Sequence, residues 1–167
     1  MNKLFNGTVT AYIGLGSNLA DPVQQVRSAR ADCAAIPCVR EMAFSSLYRS
    51  PPMGPQDQPD YVNAVMAVST DLTALVLLHH LQRIEQKHGR VRSDRRWIAR
   101  TLDLDLLIHG EHRIETDELT VPHPGLSQRA FVLYPLFEIA PELVVPGLGR
   151  VADLVVNCPR DGLERIA

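Results

Sequence analysis

Aromatic residues fill only 5% of the 167 positions, Trp occurs once and Cys three times. Cys33, Cys38 and Cys158 form no CxxC pair, which argues against a disulfide scaffold or a thiolate zinc site and leaves free thiols of a reducing, cytoplasmic setting as the expectation. Long apolar runs are absent. Ala74–Leu78 is typical of what there is, whereas a membrane span needs about 20 residues. Met1–Thr10 carries one Lys and no apolar stretch, so no secretory signal is expected. Nor does one sign of charge dominate. Lys and Arg number 17 against 19 Asp and Glu, a net charge of −2, so nucleic-acid binding would require a local basic patch. There is no phosphate-binding G-x-x-x-x-G-K-S/T loop, and Leu19 stands where a dinucleotide fingerprint starting at Gly14-x-Gly16 needs its third Gly. The Gly pair by itself reads as a tight strand exit. No repeat, linker or low-complexity segment appears, and the length suits one domain over residues 1–167.

Hydrophobic patterning predicts a strand over 9–15, then a helix from Pro22 to about Ala35 with Asp21 as N-cap. A second strand is expected over 39–48. Ser50–Pro55 is too rich in Pro for regular structure and forms a shaped loop. Residues 61–69 alternate as a third strand. Ala74, Leu77, Leu78, Leu81 and Ile84 make an apolar stripe on a helix over 73–88, closed by Gly89. A fourth strand spans 102–108, with 111–115 pairing back to it through His109-Gly110. A short helix covers 130–139, and the end from Val151 reads as helical, then loosely ordered. The order β-α-β-β-α-β implies an α+β, ferredoxin-like α/β sandwich, a mainly antiparallel sheet with flanking helices.

Two features carry chemistry. Asp103 and Asp105 are two apart on a strand and project from one face, with Cβ atoms roughly 6–7 Å apart. They read either as solvated carboxylates of an edge strand or as paired hard oxygen ligands for Mg²⁺. The leucines interleaved with them mark a buried strand, where unpaired carboxylates are costly. Just upstream, Arg90, Arg92, Arg95, Arg96 and Arg100 face a single acid, Asp94. Such a run is either a solvated basic loop or a set of guanidinium forks for phosphate. Taken together, cations for phosphate beside anions for Mg²⁺ describe a metal–polyphosphate site. Alone, Tyr61 and Phe131 would be core aromatics, His123 a turn residue, and Gln82 with Glu85 a solvated helix edge. A nucleotide-sugar transferase using the Asp-x-Asp pair and an RNA-binding module using the Arg loop are the competing classes.

The run from Arg90-Val91-Arg92 through Arg96-Trp97 to Arg100-Thr101-Leu102-Asp103-Leu104-Asp105 resembles the signature of the 6-hydroxymethyl-7,8-dihydropterin pyrophosphokinases of folate biosynthesis. Similar segments follow in family order: 11–19, 51–63, Val121-Pro122-His123-Pro124 and Arg129-Ala130-Phe131. The resemblance implies transfer of pyrophosphate from ATP to the pterin hydroxymethyl group, with release of AMP. It implies two Mg²⁺ on Asp103 and Asp105, and phosphate-stabilising Arg90, Arg92 and Arg100. Gln82, Glu85, Arg92, Trp97, Arg100, Thr120, His123 and Arg129 would surround the nucleotide. Ser50, Pro51, Met53, Tyr61, Asn63, Trp97 and Phe131 would hold the pterin. Arg92 and Trp97 would lie on a loop that closes over both substrates. The family's usual Pro before Arg100-Thr101 is replaced by Ile98-Ala99. The expected partners are these two small molecules, with no nucleic acid or membrane, and the expected state is a monomer.

Overall fold

A computed structural model describes residues 5–52, 57–89 and 102–167. The long strand β1 (Phe5–Ser17) leads into helix α1 (Pro22–Ala34). Pro22 sits in the first turn, and the Asp21 carboxylate accepts the Gln24 N–H at 3.4 Å, satisfying a donor that the helix start leaves open. β2 (Val39–Phe44), β3 (Tyr48–Ser50) and β4 (Tyr61–Leu72) follow. Helix α2 (Ala74–Lys87) begins at Thr73, whose hydroxyl accepts from Val76 N–H at 3.3 Å. It ends before Gly89, whose φ of +84° suits glycine. Beyond it come β5 (Asp103–His109), the short pair β6 (Ile114–Glu115) and β7 (Thr120–Val121), and helix α3 (Ala130–Ile139). A small hairpin, β8 (Val144–Val145) and β9 (Gly149–Arg150), precedes α4 (Val151–Val156) and the terminal β10 (Glu164–Arg165).

The main sheet runs β10-β3-β4-β1-β5, with β2 also on β4, and these pairings are antiparallel. β1-α1-β2 leaves room for β4 between its strands, and β4-α2-β5 leaves room for β1. Two interleaved crossovers of this kind are the ferredoxin-like α+β arrangement. One face buries Ala11, Ile13 and Leu15 of β1 against Val26 of α1 and Leu77 and Leu81 of α2. Leu77 and Leu81 are fully buried, each worth roughly 1.5–3 kcal/mol. The other face packs Tyr12, Val65 and Leu107 against Leu133 and Leu136 of α3 and Val151 of α4.

Four expectations change. β1 does not end at the Gly pair but continues to Ser17, because β4 and β5 flank it on both sides through Gly16. The strand expected over 39–48 breaks in two at 45–47, where the Ser45 hydroxyl takes the Val65 N–H at 2.9 Å. Residues 111–115 do not pair with β5. Gly110, at φ +56°, gives its N–H to Thr10 O at 2.9 Å, and Ile114–Glu115 pairs with Thr120–Val121 instead. The C-terminal tail is strand rather than loose chain. β3 would otherwise present open backbone groups, and β10 fills them, with Ile166 N–H donating to Leu47 O at 2.9 Å.

Candidate active site

β5 delivers Asp103 and Asp105 to the sheet face that carries α3. Both are partly buried. In β1 the residues directly opposite are Gly16 and Gly14, and across Gly16 stands Asn63 of β4, itself opposite Tyr48 of β3. Opposed residues of an antiparallel sheet share a face. Tyr48, Asn63, Gly16 and Asp103 therefore form one row over four strands, with a glycine gap between the amide and the carboxylate. A methyl group at Gly16 would lie 2.7 Å from Asn63 Oδ1, whereas one at Gly14 would meet Leu107 at an ordinary 3.5 Å. Gly16 thus keeps the floor of the site low, a role its place in the chain does not reveal.

Asn63 is 5% exposed and its Nδ2 donates to Ser50 Oγ at 2.9 Å. Ser50 is paired with Tyr61, so the loop side and the aromatic ring stay beside the amide. Pro51 is exposed at the rim. Asn18, within the segment 11–19, is 1% exposed. Its Nδ2 holds Gln58 Oε1 at 3.1 Å and Pro59 O at 3.0 Å, tying the end of β1 to the chain that enters β4.

Behind the carboxylate pair lies Glu85. It is 4% exposed, and its Oε2 accepts the N–H of Leu104 at 2.8 Å. Glu85, which the resemblance places beside the nucleotide, is thus a buried anchor under the strand segment that carries both Asp residues. Gln82, almost one turn earlier, is partly buried. A cleft of about 280 Å³ opens beside Asp105. Leu78, Leu106 and Leu119 supply apolar wall, while Thr116, Asp117, Glu118, Thr120 and His123 supply polar groups. Such a mixture suits a flat base with a polar tail.

The His123 ring is chemically defined. The Gly125 N–H donates to its Nδ1 at 3.0 Å, so Nδ1 is an acceptor and the neutral ring carries its proton on Nε2. Burial lowers its pKa, the Arg129 charge lowers it further, and Asp103 acts in the opposite sense. Arg129 immediately precedes α3, with its guanidinium carbon 5.8 Å over the Phe131 ring. At the far end of α3, Glu138 accepts from Tyr48 OH at 2.5 Å and from Ser46 N–H at 2.9 Å. Burial and this carboxylate push the Tyr48 phenol up to about 12.

Thus Asp103, Asp105, Thr120, His123 and Arg129 gather on one side of the Gly gap, and Ser50, Tyr61 and Asn63 on the other. Arg90, Arg92, Trp97, Arg100 and Met53 lie outside the described residues, as do the remaining arginines of their segment.

A family model described as 7,8-dihydro-6-hydroxymethylpterin-pyrophosphokinase (HPPK) matches residues 12–141. The chain belongs to this family. HPPK relatives include the 2-amino-4-hydroxy-6-hydroxymethyldihydropteridine pyrophosphokinase of Haemophilus influenzae, 50% identical over 147 residues, which are 88% of this chain and 91% of that protein. The protein of the same name from Pseudomonas aeruginosa is 48% identical over 155 residues, 93% of this chain and 95% of the relative. Among solved structures, the Plasmodium falciparum HPPK-DHPS with pteroate matches with a TM-score of 0.71 at 14% identity. The match covers 90% of this chain and 42% of that longer one, and at this identity it speaks for the HPPK fold alone.

Proposed function

We propose that the chain transfers pyrophosphate from ATP to 6-hydroxymethyl-7,8-dihydropterin, releasing AMP, as a step of folate biosynthesis. The observation that carries this reading is the row Asn63–Gly16–Asp103, beside the cleft at Asp105. An amide that can read the hydrogen-bonding edge of a pterin and a carboxylate pair fit for a metal–triphosphate share one face, separated by a residue without a side chain. Family membership supports the same reading.

On the pterin side, Asn63 offers the flat ring an amide edge, and Tyr61 and Phe131 provide aromatic faces to sandwich it. Ser50, Pro51 and Met53 complete the set of residues that hold it. On the nucleotide side, the cleft beside Asp105 takes the base against Leu78, Leu106 and Leu119, with Gln82, Glu85, Thr120, His123 and Arg129 around it. Arg90, Arg92 and Arg100 meet the phosphates, and Trp97 with Arg92 covers both ligands. Asp103 and Asp105 fit Mg²⁺. They are hard oxygen ligands on one face, and among the described residues no cluster of three or more His, Cys, Asp or Glu completes a cage. The remaining positions fall to water and phosphate, as Mg²⁺ prefers. We assign two such ions, which when bound neutralise phosphate oxygens and spread the developing charge.

The pterin hydroxyl oxygen attacks the β-phosphorus in line, the bond from that phosphorus to the α,β-bridging oxygen breaks, and AMP leaves with the electron pair. His123 acts as a donor to phosphate through Nε2–H, not as a base, because its Nδ1 is already engaged. The hydroxyl proton passes to solvent. We also place the chain in the cytoplasm as a monomer acting on small molecules without nucleic acid. Its three free thiols suit a reducing compartment, and among the described residues no helix is long and apolar enough to cross a membrane.

The test is AMP release from ATP and Mg²⁺ with and without the hydroxymethyl-pterin. Release that depends on the pterin is expected. Turnover of nucleotide sugars, or salt-dependent RNA binding without AMP release, would overturn the reading.

A further inference from the structure

The turn between His123 and α3 contains a glycine whose backbone does not need to be glycine. Gly125 has φ −93° and ψ 1°, open to any L-residue. What singles it out is its surroundings. A Cβ built there would lie 2.6 Å from Arg129 Nε, 2.8 Å from its Cζ and 3.1 Å from a terminal nitrogen. The guanidinium plane therefore lies directly across the bare α-carbon. The same residue gives its N–H to His123 Nδ1 at 3.0 Å, and its carbonyl accepts from Gln128 N–H at 3.2 Å to close the turn.

We propose that Gly125 is a positioning residue for the nucleotide: its N–H aims the Nε2–H of His123, and its missing side chain lets the Arg129 guanidinium lie beside that ring. The ligand chemistry is a nucleoside triphosphate, met by one neutral donor and one planar cation held side by side. This rests on the nucleotide-site reading of His123 and Arg129. Because the atoms that block a Cβ belong to the far end of a flexible side chain, alanine at 125 costs the fold little. It turns the Arg129 head away and leaves the Gly125 N–H in place. The damage falls on the ligand rather than on stability.

The experiment compares wild type, Gly125→Ala, Arg129→Ala and the double variant, reading KM for ATP, KM for the hydroxymethyl-pterin, kcat and melting temperature. Gly125→Ala is expected to raise KM for ATP about tenfold, the size of one lost charge-assisted hydrogen bond. KM for the pterin should stay within about twofold and the melting temperature unchanged. On the Arg129→Ala background the same substitution should add nothing, since coupled residues are non-additive. An unaltered KM for ATP, an additive loss in the double variant, or a lowered melting temperature with both KM values raised together would overturn the proposal. If Arg129→Ala itself left KM for ATP unchanged, the nucleotide-site reading would fall and this inference with it.

Discussion

Glu85 offers the most direct probe of how the fold supports the carboxylate pair. Its Oε2 takes the Leu104 N–H at 2.8 Å, and Leu104 sits between Asp103 and Asp105. Both the acceptor and Leu104 are about 4% exposed, so water does not readily replace a lost partner. Replacing Glu85 with Ala strands a buried donor, at about 1–3 kcal/mol. For a chain of this size 1 kcal/mol moves the melting temperature by roughly 2–4 °C, so a fall of about 2–12 °C is expected from that bond alone. Released from its anchor, the strand segment no longer holds its two carboxylates in fixed relation. Losses of outer partners to metal ligands typically cost 10–100-fold in affinity, and a rise of that order in the Mg²⁺ needed for half-maximal AMP release is expected. Glu85→Gln keeps an oxygen acceptor at nearly the same place, so it should retain more of the stability and of the Mg²⁺ response than Ala. Thermal unfolding and Mg²⁺ titration of AMP release read the two effects separately. An Ala variant with the melting temperature and Mg²⁺ dependence of wild type would refute the anchoring role.

Asp103→Asn or Asp105→Asn should abolish turnover while the melting curve survives, since each removes a hard ligand and a charge; near-normal AMP release at saturating Mg²⁺ from both would sink the metal assignment. Asn63→Ala should weaken pterin binding by roughly 1–3 kcal/mol and leave ATP binding nearly untouched, and calorimetry showing equal losses for both ligands would make Asn63 a support of the fold instead. Burial pushes the Glu138 carboxyl up, but bonds from Tyr48 and Ser46 and the Arg165 charge outweigh it and hold the pKa below the usual value. A depressed carboxyl stabilises above its unfolded pKa and loses that contribution as pH falls through the folded one. The melting-temperature gap between wild type and Glu138→Gln should therefore be full near neutrality and shrink as pH falls below the ordinary Glu value of about 4.3; a gap that is constant or widens on acidification contradicts the assignment.

Local chemistry was enough for much of this molecule. Asp21 and Pro22 start α1, and Thr73 and the stripe from Leu77 to Ile84 define α2, because caps and helical periodicity act within a few residues. The period of two along 103–105 was sufficient to put both carboxylates on one face. Where contacts join residues far apart in the chain, the local pattern is blind. Gly14 and Gly16 read as a strand exit until cross-strand register set them opposite Asp105 and Asp103. Taken alone Glu85 reads as a wet helix edge, and only the packing of α2 on β5 buries it against the Leu104 N–H. The loose tail became β10 only because β3 offered it an open edge. Side-chain direction is a property of a few neighbouring torsions, whereas register, burial and pairing depend on which distant segment arrives alongside, and that is decided when the sheet closes.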